Sequence, residues 1–343
     1  MQDTYLQWII EKTATKWWHD SAEAAELDLG LARGAVGVTT NPFLANLALA
    51  KDRQLWAPEI AEVLDRKLPA EEKAEALTRI AVTRTTEKLA PQYRASQGRN
   101  GLVCAQVNPL RAGDRESMWA MANRFHLWAP NIAVKLPATS AGLDVLEDCV
   151  ASGITVTATV SFTVPQVVAI AERHRKGIAR AKANGIVPGR CFAVIMIGRL
   201  DDYLREVALD NRAPVSEADI RQAGVAVAKR AVALYRERGY EAVLLVAALR
   251  GVYHLTELAG ADVVMSIAPA FQELFVSRDL PQEERIDVPV PADVIERLSE
   301  MPEFRRSFAP DGMSAQEFVS FGPTQRTLCQ FCDVGWKLME NFR

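Results

Sequence analysis

At 343 residues, 49% hydrophobic and 24% charged, the chain can bury a large core, and α/β barrels reach this size as one unit. Its 40 basic and 43 acidic side chains leave a formal charge of -3, which excludes the strong positive field of a nucleic-acid or membrane-surface binder. No uninterrupted apolar run reaches transmembrane length.

The opening Met1-Gln2-Asp3-Thr4 lacks a basic segment followed by an apolar one, so a cytoplasmic protein is expected. Short apolar, β-branched or aromatic runs then recur at 16–20, 35–40, 101–108, 132–138, 155–162, 191–198, 242–249 and 263–268. Several are continuously hydrophobic rather than alternating, as parallel strands covered by helices require. Apolar residues return at helical spacing in 114–128, 142–151, 164–183, 216–238 and 252–260. Eight strand–helix units predict an α/β fold, a (β/α)8 TIM barrel. No Gly-rich dinucleotide or phosphate loop follows the first strands, which disfavours an open doubly wound sheet.

Two segments depart from a minimal barrel. Residues 43–100 hold two or three helices, including 59–67 and 70–89, as an insertion after the second strand. From 276 to 313 the chain turns Pro-rich and charged, and helical patterns resume at 315–320 and 324–342. The expected organisation is a catalytic barrel over 1–275 and a C-terminal helical extension over 276–343, packed across the barrel where it can cover the mouth. Trp336 is expected to be exposed there, serving a lid or an interface between copies, so monomer and homo-oligomer both stay open.

The five cysteines are scattered, which suits a reducing compartment. Cys329 and Cys332 have CxxC spacing, but with no second pair or nearby histidines they read as two cysteines on one helix face. The four histidines show no ligand spacing, so no metal is expected.

Lys135 stands apart, at the centre of the apolar run Ile132-Ala133-Val134-Lys135-Leu136-Pro137. Burial disfavours an ammonium, and an amine accepted there is driven towards the neutral form that attacks carbonyls. The bland alternative is a lysine whose stem is buried and whose ammonium reaches a polar rim. In a barrel, active sites lie at the C-terminal ends of the strands. Those ends carry Asp20, then Thr39 and Asn41, then Gln106 and Asn108, then Lys135, Thr157 and Thr159, and finally Arg199 and Arg250. Singly, each can be a cap or a surface ion pair; together they support one chemistry. A neutral Lys135 condenses with a ketone to give an iminium, and Asp20 takes the proton of the adjacent hydroxyl as the carbon–carbon bond breaks. Gln106 and Thr159 can hold the water of the imine steps, and Arg199 and Arg250 can grip an anionic group.

Gly37-Val38-Thr39-Thr40-Asn41-Pro42, Val134-Lys135-Leu136-Pro137-Ala138-Thr139, Gly153-Ile154-Thr155-Val156-Thr157-Ala158-Thr159 and Ile197-Gly198-Arg199 resemble the transaldolase family in order and spacing. Gly260-Ala261-Asp262 and Ile267-Ala268-Pro269 fit as well, so the resemblance runs from about residue 16 to 275. It implies a class I aldolase-type barrel without metal or organic cofactor. Lys135 would be the Schiff-base lysine and Asp20 the acid/base carboxylate. Thr39 and Asn41 would contact a dihydroxyacetone unit, Thr159 would place the water, and Arg199 and Arg250 would bind phosphate.

This chain also departs from the family pattern. The glutamate of transaldolases proper is replaced by Gln106, similar to the fructose-6-phosphate aldolase branch, yet the tyrosine of that branch is replaced by Met196. The strand-five asparagine becomes Thr157, and two phosphate-binding serines become Val194 and Ala248. The expectation is a transaldolase-like transferase moving dihydroxyacetone from a ketose, phosphorylated or otherwise anionic, to an aldose. An aldolase-type lyase and a non-catalytic sugar-phosphate-binding barrel are the alternatives.

Overall fold

Each of the eight apolar runs forms a strand, and the strands close on themselves. They are β1 (Lys16–His19), β2 (Gly37–Val38), β3 (Leu102–Gln106), β4 (Ile132–Pro137), β5 (Val156–Thr159), β6 (Cys191–Met196), β7 (Val243–Ala247) and β8 (Val264–Ile267). All neighbours are parallel in the order β1 to β8, and Lys16 to His19 lie opposite Val264 to Ile267 to seal the ring. This computed structural model describes residues 4–343, so Met1-Gln2-Asp3, read above for a leader, lie outside the described residues.

Helix α1 (Tyr5–Lys12) precedes the barrel, started by a capping box between Thr4 and Gln7. Helix α2 (Ala24–Ala32) follows β1, and α3 (Pro42–Lys51), α4 (Ala57–Asp65) and α5 (Ala70–Ala95) fill the insertion between β2 and β3. Then come α6 (Arg115–Phe125), α7 (Ser140–Ala151) and α8 (Val164–Ala183), one after each of β3, β4 and β5. Helices α9 (Ile197–Asn211) and α10 (Glu217–Arg238) follow β6, α11 (Val252–Thr256) follows β7, and α12 (Pro269–Ser277) follows β8. The C-terminal extension carries α13 (Ala292–Ser299), α14 (Pro302–Phe308), α15 (Gly322–Phe331), a π turn over Cys332–Trp336, and α16 (Lys337–Glu340).

Large rings fill the barrel below the site. Trp18 of β1 and Phe192 of β6 lie 4.7 Å apart. Strands one and six are not neighbours, so these rings meet across the interior. A Cβ on Gly37 would lie 2.5 Å from the Trp18 ring, so the indole's position demands glycine there.

The C-terminal region carries helices that its composition did not single out, and it differs from expectation at Trp336. Within 276–313, read as Pro-rich and charged, α13 and α14 form and pack on α10. Their prolines are helix starts: Pro291 is the N-cap of α13 and Pro302 opens α14, where a fixed φ helps and the missing N–H costs nothing. Trp336 is fully buried, not exposed. With Met339 it joins Leu49, Ile60 and Leu77 in a second apolar core shared by the insertion and the chain's end. A Cβ on Gly335 would lie 2.7 Å from the Phe43 nitrogen, so the π turn sits directly on the start of α3.

Candidate active site

Strand register sets the depth of each polar side chain. Lys135 lies beside Gln106 on one flank and Thr157 on the other, while Thr159 pairs with Pro137, two residues nearer the strand ends. The Lys135 stem therefore rises from the level of Gln106 and Thr157 into a cavity of about 240 Å³, lined among others by Asp20, Thr39, Asn41, Thr159, Arg199 and Arg250.

The environment of Lys135 favours a free amine. It is 6% exposed, and burial lowers its pKa from the ordinary lysine value, with the Arg199 charge adding to the effect. Cys104 and Asp20 oppose that shift without reversing it. Its Nζ donates to the Thr40 carbonyl at 2.9 Å, and among the described residues no carboxylate is ion-paired with it. Lys229 on α10 makes the contrast: its Nζ meets Glu257 at 3.3 Å and the carbonyls of Arg285 and Val288 at 2.9 and 2.5 Å. Lys229 has three acceptors for three ammonium protons, whereas Lys135 has one.

Asp20 is half-buried just beyond β1. Thr39 donates its hydroxyl to Asp20 Oδ1 at 2.6 Å and lies 2.6 Å from Ser266 Oγ. Thr39 has one hydroxyl proton and gives it to the carboxylate, so Ser266 donates to Thr39. This chain of hydroxyls fixes the carboxylate of Asp20, which lines the cavity. Ser266, on β8 and in the lining, is not among the residues the sequence points to. A lone hydroxyl inside Val264-Met265-Ser266-Ile267 is a signal of the same kind as Lys135, only weaker.

The segment Thr39-Thr40-Asn41-Pro42 has a local cause. Asn41 caps α3 by accepting the Leu44 N–H at 3.0 Å, Pro42 opens the helix, and β2 ends at Val38, short of the expected residue 40. Thr40 donates to the Cys104 carbonyl at 2.7 Å, which brings its own carbonyl to Lys135. Thr159 is buried, and its hydroxyl has no partner among the described residues, which leaves it for a ligand or water. Gln106 is buried with an unpartnered Oε1, yet it lies below the cavity lining. Thr157 also lies outside the lining, where it accepts the Cys104 thiol at 3.5 Å, and Asn108 bonds Glu71 at 2.8 Å, away from the site.

Both arginines reach the rim already engaged. Arg199 stands in the first turn of α9 rather than at the end of a strand through 198, because β6 stops at Met196. It donates to Gln330 at 2.6 Å and lies over the Phe331 ring at 5.7 Å, both on α15. Arg250 donates to Asp202 through Nε and Nη2 at 2.9 and 2.7 Å. Val194, Met196 and Ala248 add only apolar surface. Val160 and Ala248, at the exits of β5 and β7, have φ of 56° and 59°, backbone strain of the kind that gathers at sites. A Cβ on Gly198 would meet the Ala248 carbonyl at 2.0 Å, so the arginine-bearing loops touch.

A buried pair holds the Arg250 loop. The Arg250 N–H donates to His254 Nδ1 at 3.1 Å, so the imidazole proton is on Nε2, which donates to Asp201 at 2.9 Å. Asp201 also accepts the Gly224 N–H at 2.8 Å; burial pushes its carboxyl pKa up while the histidine holds it down. His254→Ala strands that carboxylate and should cost roughly 3 kcal/mol of stability. Urea unfolding measures this, and a loss below about 1 kcal/mol would show that the pair does not hold the loop.

Residues 17–316 match the profile of the family described as Transaldolase/Fructose-6-phosphate aldolase. The chain belongs to this family. Its similarity to the transaldolase of Mycobacterium tuberculosis is 30% identity over 215 residues, 60% of this chain and 56% of that protein. It is 30% identical over 186 residues to the transaldolase of Neisseria gonorrhoeae, 53% of each chain. The match to transaldolase 1 of Streptomyces avermitilis is 32% over 154 residues, 44% of this chain and 40% of that protein. The chain thus spans about half the length of the curated relatives it matches. The family is one of transaldolase-type aldolases. Among the described residues, no helix is long and apolar enough to cross a membrane, and no cluster of His, Cys, Asp or Glu suits a metal ion.

Proposed function

We propose that this chain is a transaldolase-like transferase that moves a dihydroxyacetone unit from a ketose to an aldose through a Schiff base on Lys135. The observation that carries the reading is the buried Lys135 amine, met by one backbone carbonyl and sharing its cavity with Asp20. Nζ attacks the ketose carbonyl carbon, and loss of water gives the iminium. Asp20 then accepts the proton of the hydroxyl on the β-carbon, two carbons from the iminium carbon. The bond between the α- and β-carbons breaks, its electron pair flows into the iminium, and the β-carbon leaves as an aldehyde with an enamine left on Lys135. The enamine carbon attacks the incoming aldose, Asp20 returns the proton, and water hydrolyses the new iminium. Thr39 and Asn41 would hold the dihydroxyacetone hydroxyls, and Arg199 and Arg250 the distal anionic group. Thr159, with its unpartnered hydroxyl, is suited to place the water. The five free cysteines fit the cytoplasmic setting included in this reading.

A second reading is a lyase that releases free dihydroxyacetone, favoured by Gln106, which pairs in register with Lys135 and whose buried Oε1 has no partner among the described residues. Incubation with fructose 6-phosphate, with and without erythrose 4-phosphate, separates the two. The transferase consumes donor only when acceptor is present; equal release of dihydroxyacetone in both tubes would reject it.

A further inference from the structure

Helix α15 of the C-terminal extension reaches into the site and contacts Arg199. Arg199 is half-buried, and Nη1 donates to Gln330 Oε1 at 2.6 Å and to Thr327 Oγ1 at 3.5 Å. Phe331, 2% exposed, underlies the same guanidinium, and Gln330 and Phe331 both line the cavity that holds Lys135. Helix α15 is held in place by the π turn behind it, where Gly335 lies against Pro42 and Phe43 beside the Thr39–Asn41 segment. A neutral amide oxygen therefore already sits where Arg199 would receive a ligand.

We propose that Gln330 is a specificity-determining residue that occupies Arg199 in place of the substrate's anionic group, so that only an anion displaces it. This rests on reading the cavity as the ketose site. A neutral hydroxyl or carbonyl exchanges one neutral acceptor for another and gains nothing. A phosphate, sulfonate or carboxylate replaces a single neutral bond with charge-assisted bonds, and the phosphate can take two donors of the guanidinium at once. Partial desolvation of Arg199, which lowers its pKa from the ordinary arginine value, strengthens that exchange. Gln330 itself is exposed at the rim, so substituting it leaves the core intact.

Two variants test the proposal through binding of inorganic phosphate, measured by calorimetry. Gln330→Glu places a permanent anion on Arg199 and should weaken phosphate binding by about tenfold or more. Gln330→Ala frees Arg199 and should tighten binding about threefold. Trapping of the neutral ketone dihydroxyacetone at Lys135 by borohydride should proceed at the wild-type rate in both. Phosphate affinity unchanged in Gln330→Glu would overturn the proposal. Failure of trapping in the unaltered protein would instead remove the ketose reading, while the phosphate titration would still decide the role of Gln330.

Discussion

Replacing Lys135 with methionine is expected to bring turnover to background, a loss on the order of 10⁴-fold or more, with the barrel still folded. Methionine fills the space of the stem without burying an amine, and among the described residues the bond given up is the one to the Thr40 carbonyl. A pure binding protein would behave differently, keeping most of its sugar-phosphate affinity and losing no activity. The same variant has a pH signature. Burial lowers the Lys135 pKa in the folded chain, so between that value and the ordinary lysine value the unfolded chain binds more protons. Stability then rises with pH, and the penalty from Lys135 is full below the folded pKa and gone once pH passes the unfolded one, near 10.4. Lys135→Met should therefore be more stable than the parent at neutral pH, by a margin that shrinks as the buffer becomes more alkaline. Urea titrations at several pH values read this directly, and a margin independent of pH would mean that the amine is not desolvated.

The second large effect is expected at Asp20. Asp20→Asn keeps an oxygen for the Thr39 hydroxyl, so the relay from Ser266 survives, but the proton acceptor for carbon–carbon cleavage is lost. Steady-state kcat should fall by about 10²–10⁴. The imine with dihydroxyacetone should still form, because it needs no cleavage step, and borohydride should still trap it. If Asp20→Asn turned over within about threefold of the parent, another group would have to be the base.

The barrel was legible because strands buried on both faces leave continuous apolar runs, and polar residues interrupting such runs stand out. Lys135 shows it best, and Asp20, Thr39 and Arg199 followed because strand ends share one rim. Depth was harder to read. Thr157 and Thr159 share a face by alternation, yet only Thr159 reaches the cavity, since Thr157 sits one layer lower against Cys104. The onset of α9 was hidden because Ile197-Gly198 continues the apolar character of β6. Helices α13 and α14 were not singled out in the Pro-rich 276–313 because a helix-opening proline and a loop proline look alike until the following turn is seen. The partners of the arginines could not be read at all: Gln330 lies 131 residues from Arg199 in the chain, and an amphipathic pattern does not say which strand end its helix covers.

The most direct measurement is the mass of the protein after borohydride reduction in the presence of fructose 6-phosphate, followed by peptide mapping. One covalent sugar-derived adduct should appear, on the peptide containing Lys135, and none should form with Lys135→Met. A protein that stays unmodified across ketoses, or carries the adduct on a different lysine, would contradict the account.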